Sequence, residues 1–141
     1  DGIDIAPEEF YRRVEQNKEL PTTSQPSVGE FVALYRRLAE RYDGIVSIHI
    51  SSKLSGTVGA AQSALAQFDA VPVRVVDSLS TAMGLGFVAL AAARKAVAGG
   101  DLDAVAEEAE QVKKRMQVHL MPRTMDYLRW GGRIGTATAF L

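Results

Sequence analysis

Apolar residues recur along this chain at two spacings, which predicts amphipathic helices alternating with short buried strands. From Val28 to Tyr42, Phe31, Leu34, Tyr35 and Leu38 mark one helical face, and Asp43-Gly44 ends the run. Ile45-Val46-Ser47-Ile48-His49-Ile50 follows as a strand-like stretch. A second helix is predicted from about Thr57 to Phe68, with Val58, Ala61, Leu65 and Phe68 on one side. Val73 to Val76 is a short β-branched strand ending at Asp77-Ser78. Met83 to Ala98 reads as a long Ala-rich helix closed by Gly99-Gly100. Asp101 then caps another helix, whose Leu102, Val105, Ala109, Val112 and Met116 face inward. Ahead of this series, Pro7-Glu8-Glu9-Phe10 starts a helix running to about Asn17, with a Pro- and hydroxyl-rich loop from Pro21 to Ser27. Behind it, Gln117 to Met121 is predicted as a third strand and Thr124 to Trp130 as a short helix stopped by Gly131-Gly132.

Strands alternating with helices imply an α/β fold, a mainly parallel sheet with helices on both faces. Ligands of such sheets bind outside the C-terminal ends of the strands. The loops at Ser51–Thr57, Asp77–Thr81 and Pro122–Thr124 are expected at that edge. With 141 residues the chain is one domain's worth, 47% hydrophobic and 23% charged. A net charge of −1 gives no reason to expect a nucleic-acid or membrane surface, and no apolar run is long enough to span a bilayer. The absence of cysteine excludes disulfides and thiolate metal sites and fits a reducing cytoplasm. The chain opens at Asp1 without Met and stops at Thr138–Leu141 inside a new apolar run, so it is expected to be part of something longer.

The richest candidate chemistry is the turn Ser51-Ser52-Lys53-Leu54-Ser55-Gly56-Thr57. It lies between a strand end and a helix start, where unpaired N–H groups and the helix dipole favour an anion. Ser55 and Thr57 hydroxyls would add donors, or would simply cap the helix. Thr22-Thr23-Ser24-Gln25-Pro26 presents four hydrogen-bonding side chains between prolines, or is a plain loop with Ser27 as the next N-cap. His49 reads first as a packed core histidine, with a catalytic or phospho-acceptor role as the alternative. Asp77, at a strand's C-terminal end, either binds Mg²⁺ or orients a ligand, or caps the following turn. Arg133 has the chemistry to hold a phosphate bidentately and Trp130 that of an interface anchor, against the plainer reading of a helix end. His119 is expected in a strand context similar to that of His49, and nothing pairs the two histidines at a metal-ligand spacing.

Five motifs in order, Thr23-Ser24-Gln25-Pro26-Ser27, Ser47 through Thr57, Val76-Asp77-Ser78, Met83-Gly84-Leu85-Gly86, and Asp126-Tyr127-Leu128 with Gly131-Gly132-Arg133-Ile134, resemble the DegV family of bacterial fatty-acid-binding proteins. The resemblance covers nearly the whole chain. It implies a partial N-terminal α/β domain over residues 1–141, with the family's first strand and C-terminal domain absent. It further implies an acyl carrier that serves a separate fatty acid kinase and does no chemistry itself, in the cytoplasm, with a long-chain fatty acid as ligand and no metal or other cofactor. The family's carboxylate-binding Thr and Ser match Thr23 and Ser55, with Gly56 and Thr57 in the same turn. Ser24, Ser52, His49, Asp77, Ser78 and Met83 fall around that pocket, and the family's kinase-facing Arg matches Arg133, beside Trp130. Met83, Leu85 and Phe87 are candidates for a tail groove. Two rival readings use the same residues. One is a phosphoryl-transfer component with His49 as phospho-acceptor; the other is a phosphate-metabolite binder that cups its ligand at Ser55-Gly56-Thr57.

Overall fold

A computed structural model describes residues 4–16, 21–133 and 135. Six helices and two strands follow in the order α1 (Pro7–Gln16), α2 (Val28–Ala39), β1 (Ile45–His49), α3 (Thr57–Ala64), β2 (Val73–Asp77), α4 (Ala82–Val97), α5 (Leu102–Arg115) and α6 (Asp126–Trp130). The Asn17 helix end, Ile134 and the apolar run at Thr138–Leu141 lie outside the described residues.

The two strands pair in parallel, with Ile45 opposite Val73 and His49 opposite Asp77. The Ile45 amide donates to the Pro72 carbonyl at 3.0 Å, and the Ser78 amide to the His49 carbonyl at 3.1 Å. In a parallel ladder a residue sends both its N–H and its C=O to the same side. Ile45, Ser47 and His49 therefore bond to β2, while Val46 and Ile48 turn theirs to the opposite edge, where no strand sits among the described residues.

Side chains alternate across the strands and fill two cores. Ile45, Val73 and Val75 meet Phe31, Val32 and Tyr35 of α2 and Ala61 and Ala64 of α3, with Phe68 closing the cluster. Val46, Ile48 and Val76 meet Val88 and Ala92 of α4 and Val105 and Ala109 of α5 on the other face. Cover on both faces explains why apolar residues stand on both faces of the strands, with Ser47 and His49 on the α2 side and Arg74 exposed. The expected α/β architecture with helices on both faces holds.

Local signals set the helix starts. Ser27 and Glu30 form a capping box at α2, the Glu30 amide donating to Ser27 Oγ at 3.2 Å and the Ser27 amide to Glu30 Oε2 at 2.7 Å. Those bonds hold the Glu30 carboxyl below the usual range. Asp101 caps α5 by accepting from the Ala104 amide at 2.8 Å.

Four expectations need correction. The third strand at Gln117–Met121 does not form: of its side chains, Val118 lies against α4, whereas His119, Leu120 and Met121 are exposed and no ladder partner is present among the described residues. A five-residue alternation with one inward position buries too little to hold a strand without a neighbour. His119 accordingly has no strand context. In α2 the inward face is Phe31, Val32 and Tyr35, with Leu34 turned out, because the face centres near Tyr35 and the adjacent residue lies about 100° around the helix from it. That helix also stops at Ala39, since the Arg41 and Tyr42 amides both fold back onto the Leu38 carbonyl. The helix expected to reach Phe68 tightens after Ala64 into a 3₁₀ turn over Leu65–Gln67.

Candidate functional site

The turn after β1 is fastened at its base by Ser51, which is fully buried. The Ser51 amide donates to the Ser80 carbonyl at 2.8 Å, and the Ser51 carbonyl takes the Leu54 and Ser55 amides at 2.9 and 3.1 Å. Its hydroxyl accepts from the Lys53 amide at 3.3 Å. The cap position of α3 is Gly56, which has no side chain to offer, and the neighbouring residues supply the oxygens. Ser55 Oγ accepts from the Thr57 amide at 3.3 Å and shares a hydrogen bond of 2.8 Å with Thr57 Oγ1. The result is a half-buried hydroxyl pair at a helix N-terminus, beside N–H groups that have no intrahelical partner.

The loop after β2 is stitched to this turn. Asp77 accepts from the Ser52 amide at 3.2 and 3.3 Å through its two oxygens, and from the Leu79 amide at 2.9 Å. Asp77 is thus a clamp between the two loops, and the turn-capping reading of it holds. Ser78 is buried and donates to the Ser80 carbonyl at 3.3 Å while accepting from the Ser80 amide at 3.2 Å. It supports the loop from inside. Ser52 is exposed at the rim. Leu79 and Ala82 hold φ angles of +50° and +47° without being glycine, a strained shape that the stitching maintains.

The Pro21–Ser27 loop reaches the same edge through Gln25, whose amide lies against Gly56. Thr23 and Ser24 are exposed, and among the described residues their hydroxyls make no hydrogen bond. Arg133 comes in from α6: its Nε donates to the Leu54 carbonyl at 3.4 Å and its Nη1 to the Gly131 carbonyl at 2.6 Å. Thr23, Trp130 and Arg133 line one cleft of about 720 Å³ with Phe10, Tyr11 and Tyr127. Met83 stands apart from the turn on the outer face of α4, 58% exposed, with Phe87 at 56% and Leu90 at 45% in line with it.

His49 occupies the packed position. Its ring meets Phe31 edge-on at 5.1 Å, and its Nε2 lies 2.7 Å from Ser47 Oγ. The Tyr35 hydroxyl donates to Ser47 Oγ at 2.8 Å, so Ser47 Oγ links the Tyr35 hydroxyl to His49 Nε2 in one chain. Burial pushes the His49 pKa below the ordinary histidine value. The unfolded chain therefore binds this proton more tightly, so stability rises with pH across the window. The His49 contribution is complete above the ordinary value of about 6.5 and is lost as pH falls from there toward the depressed folded value. Urea denaturation at about pH 7.5 and about pH 5.5 is expected to show a larger loss for the wild type than for His49→Gln. Equal losses would mean that His49 is not buried as a neutral ring.

Among the described residues no group of three His, Cys, Asp or Glu side chains is placed to hold a metal, and no helix is long and apolar enough to cross a membrane. The sequence signals placed Ser51 and Ser80 in loops at this edge and Gln25 in a hydrogen-bonding loop, but gave none of the three its role in joining those loops. Ser51 and Ser80 act through backbone contacts between loops distant in sequence, and only the polar turn composition pointed to them.

Fold and site together define a parallel α/β domain that gathers hydroxyl-rich loops, at a helix N-terminus, on the C-terminal edge of its sheet. The family model described as "Uncharacterised protein, DegV family" matches residues 1–141. The chain belongs to the DegV family. It is 45% identical over 140 residues to a DegV domain-containing protein of Streptomyces coelicolor, covering 99% of this chain and 49% of that one. Among solved structures, a fatty-acid-binding DegV family protein from Thermus thermophilus matches with a TM-score of 0.84 at 39% identity, over 99% of this chain and 49% of its own. DegV of Bacillus subtilis, described as a fatty acid binding protein, matches with a TM-score of 0.83 at 40% identity, over 94% and 48%. The chain spans about half the length of the curated relatives it matches.

Proposed function

We propose that this chain is the carboxylate-holding part of a fatty-acid-binding protein. The observation that carries the reading is the Ser55–Thr57 hydroxyl pair at the start of α3, with the Thr23 and Ser24 hydroxyls, unpaired among the described residues, on a loop brought to the same edge. Hydroxyl donors beside a helix N-terminus suit a singly charged carboxylate, because hydrogen bonds to an ionised acceptor are roughly twice as strong as neutral ones. Thr23 and Ser55 are the head-group donors in this reading, with Gly56 and Thr57 completing the turn. The ligands named for the Thermus thermophilus and Bacillus subtilis relatives support it.

The exposed apolar line Met83, Phe87 and Leu90 on α4 offers surface for an alkyl chain or for further parts of the protein. In the whole protein a first strand and a C-terminal domain would complete the fold, and the loaded carboxylate would be presented to a separate kinase past exposed Arg133 and Trp130. The protein is a carrier in this reading, since the Ser55 hydroxyl is paired with Thr57 and not with a base. The phospho-acceptor alternative gains nothing from His49, whose Nε2 is taken by Ser47.

Organic extraction of the purified whole protein followed by mass spectrometry tests the proposal. Long-chain fatty acids are the expected species. A phosphorylated metabolite in their place would overturn the reading in favour of a phosphate cup.

A further inference from the structure

Gly56 poses a question that its backbone does not answer. Its φ of −72° and ψ of 4° are open to any residue, so conformation gives no reason for glycine there. Space does. A β-carbon at Gly56 would lie 2.9 Å from Gln25 Nε2, 3.1 Å from Cδ and 3.5 Å from Oε1, so the Gln25 amide rests where that carbon would be. Gln25 is exposed, and the contact is therefore not a means of burying apolar surface. Among the described residues its amide makes no hydrogen bond.

The stretch that carries Gln25 is stiff. Pro26 biases Gln25 toward extended backbone, and the Ser27–Glu30 capping box fixes the downstream end to α2. A shift of Gln25 is therefore passed along the loop to Thr23. On the other side, Gly56 sits between Ser55 and Thr57, whose hydroxyls bond each other.

We infer that Gln25 is a positioning residue for the ligand's acid head group: its amide, seated on Gly56, sets the distance between the Thr23 hydroxyl and the Ser55–Thr57 pair. The inference rests on the carboxylate-holding role proposed above and adds a residue and a mechanism to it. The absent β-carbon at Gly56 is what admits the amide, so the two positions act as one unit.

The test is a double-mutant cycle in the whole protein, with oleic acid as the probe and displacement of a fluorescent fatty acid as the readout. Gln25→Ala and Gly56→Ala are each expected to weaken affinity about tenfold, the scale of one hydrogen bond to a charged group. Thermal midpoints should stay near wild type, because alanine fits the Gly56 backbone and Gln25 is exposed. The double variant should bind no more weakly than either single one, since the new methyl then has nothing to displace. Independent, multiplying losses would overturn the inference, as would full affinity in either single variant. Loss of affinity that follows a fall in thermal midpoint would overturn it in favour of a structural role. Wild-type protein with no affinity for oleic acid would defeat the carboxylate reading itself and this inference with it; intact affinity in the wild type and all variants would defeat this inference alone.

Discussion

Ser55→Ala combined with Thr23→Val is expected to lower fatty acid affinity of the whole protein by about two orders of magnitude or more. Each substitution removes one donor to an ionised carboxylate, worth about 1.5–3 kcal/mol, which is about 10- to 100-fold in binding. Ser55 has the larger share. Its oxygen also accepts the Thr57 amide and orients Thr57 Oγ1, so its loss frees the second hydroxyl of the pair. Thr23 is exposed and has no bond to another described residue, so its replacement should leave the fold intact. Titration with oleic acid, beside a melting curve for each variant, separates a lost donor from a lost fold. Undiminished affinity in the double variant would remove both residues from the head-group site.

Tyr35→Ala should give the largest loss of stability. Tyr35 is 1% exposed, with the Phe31 ring centroid at 5.8 Å and that of Phe68 at 5.7 Å. Removing a buried ring of this size costs about 3–5 kcal/mol. The cavity would open beneath β1, between α2 and Phe68. Tyr35→Phe keeps the ring and removes only the donor to Ser47, at a cost of about 1 kcal/mol. Urea denaturation of the two variants decides between packing and hydrogen bonding as the source of Tyr35's contribution. Equal losses would shift the weight from the ring to the Tyr35–Ser47–His49 chain.

The elements with long periodic faces or strong end signals were legible from the residues alone. Ser27 before Val28 and Asp101 before Leu102 located two helix starts, because a capping side chain acts within three residues of itself. The strand runs Ile45–Ile50 and Val73–Val76 were legible because β-branched residues stand at both odd and even positions of each, so both faces carry apolar side chains. Gln117–Met121 misled for a reason that periodicity cannot detect: a strand exists by virtue of its ladder partner, and that partner is never local. The site divides in the same way. The Ser55-Gly56-Thr57 turn announces itself by composition at a strand–helix junction. The role of Asp77 as a clamp depends on the Ser52 amide, 25 positions away, and the seat of Gln25 on Gly56 joins two loops on opposite sides of β1. Such contacts become readable only once β1 and β2 are set side by side.

Gly84, in the first turn of α4, carries one more consequence. A β-carbon there would lie 2.6 Å from Val118 Cγ2 and closer still to Ser80 Oγ. Three positions, 80, 84 and 118, therefore share one small volume. In evolutionary terms they form a lock in which Gly84 cannot grow until Ser80 and Val118 give way. A lineage that drifts at Gly84 must already have shrunk at Ser80 and Val118, so change at this corner of the loop edge is ordered in time, with the glycine last to move.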